Sequence, residues 1–150
     1  MEGAFCYTSP NMYTIYTDGG ARGNPGPAGA GAVIFDKNMK AVVEASKFLG
    51  AQTNNIAEYE AVILGLAKLK ELVPAEDQEQ TEVTLRLDSE LVQRQIIGQY
   101  RVKDAELYKK YLEVKNLMNA FPKIAFEHVR REQNKEADQL ANIAMDNGTT

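Results

Sequence analysis

Residues 13–36 read YTIYTDGGARGNPGPAGAGAVIFD, and how they divide decides the fold. Tyr13 to Thr17 is β-branched and aromatic, which predicts a strand that Asp18 closes. The stretch GGARGNPGPAG that follows is rich in glycine and proline and predicts a long turn. Ala30 to Asp36 predicts a second strand. Ala41 to Phe48 predicts a third, beyond a turn at Lys37-Asn38. Links this short join antiparallel neighbours.

The pattern then changes to helix alternating with strand. From Asn55 to about Val73, Ile56, Tyr59, Ile63 and Leu66 share one helical stripe. Pro74 and the polar run to Gln80 end that helix. Val83 to Asp88 predicts a strand, and Ser89 to about Ile97 a short helix. After Gly98, a more polar helix runs from about Lys103 to Met118, and Pro122 separates it from a last strand, Ile124 to Val129. A final helix starts near Lys135. Strands joined through helices are parallel, with right-handed crossovers. The expected architecture is α/β: a mixed five-stranded sheet, three antiparallel strands then parallel ones, flanked by helices over residues 13–150. Residues 1–12 show no periodicity, end in a Ser-Pro-Asn turn signal, and are expected to be a mobile leader.

A chain of 150 residues, 44% apolar and 25% charged, suits one soluble globular domain. No apolar run is long enough to span a bilayer, and the N-terminus lacks the layout of a secretory signal. The single cysteine, Cys6, cannot close an internal disulfide, which favours a reducing, cytoplasmic setting. The net charge of −4 counts against nucleic acid as a partner. A group of carboxylates neutralised by bound cations would soften that objection. So would the local basic clusters, Arg101, Lys103, Lys109, Lys110 and Lys115, then Arg130, Arg131 and Lys135. Interleaved Asp104, Glu106 and Glu113 allow the first cluster to be an ordinary solvated face.

Four carboxylates fall at element ends: Asp18, Glu58, Asp88 and Asp138. Each has a plain structural reading. Asp18 could serve the turn, and Glu58 could close a capping box with Asn55. Asp88 could cap the helix starting at Ser89, and Asp138 could complement the dipole of the last helix. Together they say more. Asp18 and Asp88 would stand at the C-terminal ends of two parallel neighbours, where ligand sites gather in open α/β sheets. Carboxylates brought this close repel unless cations join them. Oxygen-only donors favour Mg²⁺ or Mn²⁺.

The segments YTDGGARGNPGP, TNNIAEYEA, LRLDSELV and NKEADQLANIA, in that order, resemble ribonuclease H type 1. The resemblance runs from about Tyr13 to the end of the chain. It implies an endoribonuclease that cuts the RNA strand of RNA–DNA hybrids with two divalent ions, leaving 5′-phosphate and 3′-hydroxyl ends. It makes Asp18 the bridging ligand, places Asp138 on the ion beside the nucleophilic water, and places Glu58 and Asp88 on the leaving-group side. By the same match Asn24, Asn54, Asn55 and Glu90 face the minor groove, and Thr53 grips a phosphate of the DNA strand. Amide side chains and close backbone approach suit a reader of the 2′-hydroxyl. As turn or cap residues, Asn24 and Asn55 have an equally local reading.

One departure stands out. The bacterial branch carries a histidine on a loop before the last aspartate, but the only histidine here is His128, inside the strand IAFEHV. The segment REQNKEAD resembles the shorter archaeal and bacterial variant, with Arg131 in that loop, and His128 is expected to be structural or partly buried. Rival readings are a nuclease of the same fold acting on duplex RNA or DNA junctions, and a non-catalytic nucleic-acid-binding module. No protein partner is called for, and a monomer is expected.

Overall fold

A computed structural model describes residues 11–148. One five-stranded sheet has the order β3-β2-β1-β4-β5, from β1 Met12–Ala21, β2 Gly26–Phe35, β3 Ala41–Gln52, β4 Glu82–Leu87 and β5 Lys123–His128. The β1-β2 and β2-β3 pairs are antiparallel, while β4 runs parallel to β1 and β5 parallel to β4. The helices are α1 Asn54–Leu72, α2 Ala75–Gln78, α3 Glu90–Ile96, α4 Ala105–Met118 and α5 Lys135–Gly148, with a 3₁₀ turn at Arg131–Gln133 just before α5. The expected mixed sheet is therefore present. The proposed leader falls mostly on residues 1–10, outside the described residues, and its last member, Met12, already pairs with Glu82 at the start of β1.

The glycine-rich stretch differs from its expected form. β1 continues through Gly19 and Gly20 to Ala21, and β2 begins at Gly26, so only residues 22–25 turn. Asp18 therefore lies inside β1, opposite Gly31 of β2. The reason is packing. A Cβ on Gly31 would lie 2.3 Å from the carbonyl oxygen of Ala137 in α5, and one on Gly19 would lie 2.0 Å from that of Ala57 in α1. These glycines let helix backbones press onto the sheet, a need that at Gly19 looks like turn chemistry in a single sequence.

Helix α1 packs on β1 and β2 through a buried face that includes Ile56, Tyr59, Val62, Leu66 and Leu69. Ile63, expected on that stripe, is only half-buried. Gly65 allows α1 to close on Ile15, Thr17 and Ala32. Helix α5 meets β2 at Gly29 and Gly31 through Ala137, Ala141, Ala144 and Met145. Alternate residues of a strand face opposite sides, so α1 and α5 cover opposite faces of the sheet. Helices α3 and α4 extend the α1 layer, and Val92, Ile96, Val114 and Phe121 join its core. The polar run after Pro74 holds the short α2. No helix among the described residues is long and apolar enough to cross a membrane.

Candidate active site

The parallel ladder between β1 and β4 ends at the pair Thr17 and Leu87, and the next residue on each strand is an aspartate. This register alone sets Asp18 beside Asp88. Glu58 reaches the same point from α1, where the N–H of Gly19 donates to its Oε1 at 2.5 Å. One carboxylate oxygen each from Asp18, Glu58 and Asp88 lies within 4.8 Å of the others. Asp138, in the first turn of α5, brings its carboxyl next to that of Asp18. It lines a cavity of about 230 Å³ together with Asp18, Arg22, Asn54, Arg131 and Asn142.

Crowding changes the acidity of this group. Burial, then the charge of Asp88 and the adjoining Asp138 carboxyl, push Asp18 up to about 8, against the partial relief of the Arg131 charge. Glu58 is held well above the ordinary carboxylate range by burial, then by the charges of Asp18 and Asp88, despite the N–H of Gly19. Asp18 therefore keeps its proton at neutral pH in the absence of a compensating cation, and Glu58 is shifted in the same direction. The donor set is all oxygen and fits a hard divalent ion.

Of the plain structural readings, three fail, that of Asp18 because it lies inside β1 and short of the turn at residues 22–25. The cap of α1 is Thr53, whose Oγ1 accepts the N–H of Ile56 at 3.3 Å, and not Asn55. Glu58 lies too far into the helix to close a capping box. The cap of α3 is Ser89, whose Oγ accepts the N–H of Val92, and not Asp88. These caps free both acids for the cluster. Asp138 does stand in the first turn of α5, as expected.

Asn24, Thr53, Asn54 and Asn55 are brought together in a second cavity of about 670 Å³, whose far wall carries Asp104 and Glu106. Part of this set is structural: Asn24 Oδ1 accepts the N–H of Asn54 at 3.0 Å, and Asn54 Oδ1 accepts the N–H of Ala21 at 2.9 Å. These bonds tie the β1-β2 loop to the start of α1. Asn55 is exposed. Glu90 is not part of that cavity wall and pairs with Arg94 at 2.7 Å. In the first basic cluster, Lys110 pairs with Glu60 at 2.9 Å, Lys109 with Glu106 at 3.2 Å, and Lys115 donates to the Ile96 carbonyl at 2.8 Å. Those three lysines serve the fold of α4 first.

His128 is exposed at the end of β5, so the expectation of a structural or partly buried histidine is corrected: β5 is an edge strand and leaves this position in solvent. Arg131 opens the 3₁₀ turn, in the loop before α5 as expected, and lines the acidic cavity. Sequence reading missed Asn134. Its Nδ2 donates to the Thr17 carbonyl at 2.8 Å and to Asp88 Oδ2 at 3.4 Å, and its carbonyl accepts the N–H of Asp138 at 3.1 Å. One buried residue thus links the elements carrying three of the acids, through its side chain to β1 and Asp88 and through its backbone to Asp138. Its only signal was its place immediately before a helix start, four residues ahead of Asp138.

A mixed sheet with acids from two parallel strands and from helices on both its faces defines the ribonuclease H-like class of fold. The family described as reverse transcriptase-like matches residues 16–144. A ribonuclease HI of Halobacterium salinarum is 38% identical over 131 residues, covering 87% of this chain and 63% of that protein. The bifunctional protein of Mycobacterium tuberculosis is 43% identical over 133 residues, and there the match covers 88% of this chain but only 35% of that protein. The chain thus spans about a third of the length of the first curated relatives it matches. Among solved structures, LC11-RNase H1, isolated from compost by a metagenomic approach, superimposes with a TM-score of 0.86 at 44% identity, covering 93% of this chain and 99% of that one. LC11-RNase H1 is also known in complex with an RNA/DNA hybrid. The chain belongs to the type 1 ribonuclease H family.

Proposed function

We propose that this chain is a metal-dependent endoribonuclease that hydrolyses the RNA strand of RNA–DNA hybrids and leaves 5′-phosphate and 3′-hydroxyl ends. The observation that carries the reading is the convergence of Asp18, Glu58 and Asp88 within 4.8 Å, with Asp138 lining the same cavity as Asp18. Its family and the hybrid complex of LC11-RNase H1 support the choice of substrate.

Two Mg²⁺ ions, or Mn²⁺ in their place, would supply an activated water and stabilise the leaving 3′ oxygen. Asp18 would help to hold both ions, Asp138 the one that activates the water, and Glu58 and Asp88 the one that stabilises the leaving group. Gly19 orients Glu58 through its N–H, and Asn134 orients Asp88. Arg131 contributes a permanent charge at the mouth of the acidic cavity, suited to a phosphate oxygen. Asn55, with Asn24, Asn54 and Thr53, forms the surface for the sugar edges and a DNA phosphate. Contacts to backbone and sugar carry little sequence information, so cleavage depends weakly on base sequence. The chain acts as a monomer, without an obligate protein partner, in a reducing cytoplasm.

The deciding experiment offers matched RNA–DNA hybrid, RNA duplex, DNA duplex, DNA junction and single strands, each with Mg²⁺ or Mn²⁺. Cleavage confined to the RNA of the hybrid supports the reading. Preference for duplex RNA or junctions replaces it with the rival nuclease. Binding without any cleavage makes the chain a non-catalytic module.

A further inference from the structure

Two polar side chains in the wall of the acidic cavity have no part in the scheme above: Arg22, from the β1-β2 loop, and Asn142, one turn beyond Asp138 on α5. Residues 138, 142 and 146 share one face of α5 by their spacing of four, and their contacts form a chain. The Nδ2 of Asn142 donates to the carbonyl of Asp138 at 3.0 Å and to its carboxylate Oδ2 at 3.3 Å. The Oδ1 of Asn142 accepts from Nη2 of Arg22 at 3.4 Å. The same guanidinium nitrogen pairs with Oδ1 of Asp146 at 2.6 Å.

This order of donors and acceptors has a consequence for Asp138. An asparagine amide carries an acceptor on one side and donors on the other. Turned by half a revolution, it would present oxygen to the carboxylate and repel it. Arg22 is a pure donor, so its contact with Oδ1 fixes the orientation in which Nδ2 faces Asp138. Asp146 in turn anchors the guanidinium. None of these contacts holds the core: Arg22 and Asp146 are exposed and Asn142 is half-buried.

We propose that Asn142 and Arg22 are positioning residues for the metal site: Asn142 sets the Asp138 carboxylate, and Arg22 sets the amide of Asn142. The proposal rests on the reading of Asp18 and Asp138 as ion ligands, but not on the identity of the nucleic acid that is cut. Partners that orient a metal ligand are commonly worth ten- to a hundred-fold in affinity, and contacts of this length belong near the low end, about 10-fold.

The test measures Mn²⁺ binding to the full chain by calorimetry, beside hybrid cleavage at graded Mn²⁺. The proteins are wild type, Asn142→Leu, Arg22→Leu and the double variant, with melting curves to establish that each is folded. Asn142→Leu is expected to weaken Mn²⁺ binding by about 10-fold, with KM for hybrid at saturating Mn²⁺ unchanged. Arg22→Leu should move Mn²⁺ binding the same way by a smaller factor. The double variant should bind like Asn142→Leu alone, because Arg22 acts only through the amide. Unchanged Mn²⁺ binding in Asn142→Leu, or fully additive losses in the double variant, overturns the proposal. So does an Arg22→Leu protein whose only defect is a raised KM for hybrid, since that marks a direct substrate contact. A wild type that binds Mn²⁺ but cuts no hybrid defeats the proposed function and leaves the positioning role to be decided by binding. A wild type that binds no Mn²⁺ overturns both.

Discussion

The N–H of Gly19 donates to Oε1 of Glu58 across 2.5 Å, and this contact exists because Gly19 has no side chain: a Cβ there would lie 2.0 Å from the carbonyl oxygen of Ala57. β1 and α1 meet backbone to backbone at the point where their acids converge. Gly19→Ala puts a methyl group against atoms that cannot rotate away. It should cost about 3 kcal/mol, the upper end of ordinary overpacking, and displace Glu58 from Asp18. Denaturant titration measures the first effect and Mn²⁺ calorimetry the second. A Gly19→Ala protein with wild-type stability and metal affinity would contradict this account of the approach.

Asp18 is the acid that neighbours all three others, Asp88, Glu58 and Asp138. Asp18→Asn keeps its shape and removes its charge. Cleavage should fall by roughly 10³ or more, as for loss of a dominant electrostatic stabiliser. The metal-free variant should nevertheless be more stable than wild type at pH 9, because the buried position no longer has to ionise. Normal turnover in folded Asp18→Asn would remove the central ligand from the scheme.

The metal-free protein should lose stability as pH rises. In the unfolded chain Asp18 ionises near 3.8, whereas in the fold it keeps its proton to about 8. Between those values the native state binds more protons than the unfolded state, so unfolding free energy falls with rising pH. The favourable contribution is complete below about 3.8 and is lost as pH passes through about 8. Glu58 is shifted in the same direction. Saturating Mn²⁺ should reverse the trend, since ions favour the charged carboxylates. Melting temperatures from pH 5 to pH 9, in chelator and in Mn²⁺, test this. A chelated protein whose stability climbs across that range would refute the crowding described for the cluster.

Strand and helix order were legible because each element has its own periodicity, and the four acids were legible because their neighbours spell distinctive segments. What escaped the sequence was contact information. Gly19 and Gly29 look like turn residues until helix backbones are seen against them. Asn134 carries no pattern of its own, and its importance lies in reaching Thr17 and Asp88 from a distant part of the chain. His128 alternates like a core residue, but an edge strand leaves such positions in solvent.

The start of α1 separates cap from reader. Thr53 accepts the N–H of Ile56, and Asn24 accepts that of Asn54, so Thr53→Ala and Asn24→Ala should each cost about 1 kcal/mol. Asn55 holds no cap and is exposed. Asn55→Ala should therefore melt like wild type while raising KM for hybrid and leaving Mn²⁺ affinity alone. Thermal melting beside steady-state kinetics decides it. If Asn55→Ala loses stability in proportion to activity, its proposed contact with the sugar edge falls.

Arg131 and His128 stand on either side of Val129 and Arg130, but only Arg131 lines the acidic cavity. Its guanidinium remains charged throughout the working pH range, so it cannot shuttle a proton as an imidazole could. It can hold a phosphate oxygen or speed departure of the cleaved strand. Arg131→Ala should lower turnover by roughly 10-fold, about the cost of one charge-assisted hydrogen bond. It should also leave the pH dependence of the rate without a new inflection near neutrality, because no titrating group has been lost. His128→Ala should change stability by less than about 0.5 kcal/mol, as befits an exposed position, and leave turnover intact. Pre-steady-state cleavage on both variants separates the chemical step from release. A wild-type rate in Arg131→Ala, or a severe rate loss in folded His128→Ala, would transfer the role to the histidine and require the loop before α5 to carry it toward Asp138.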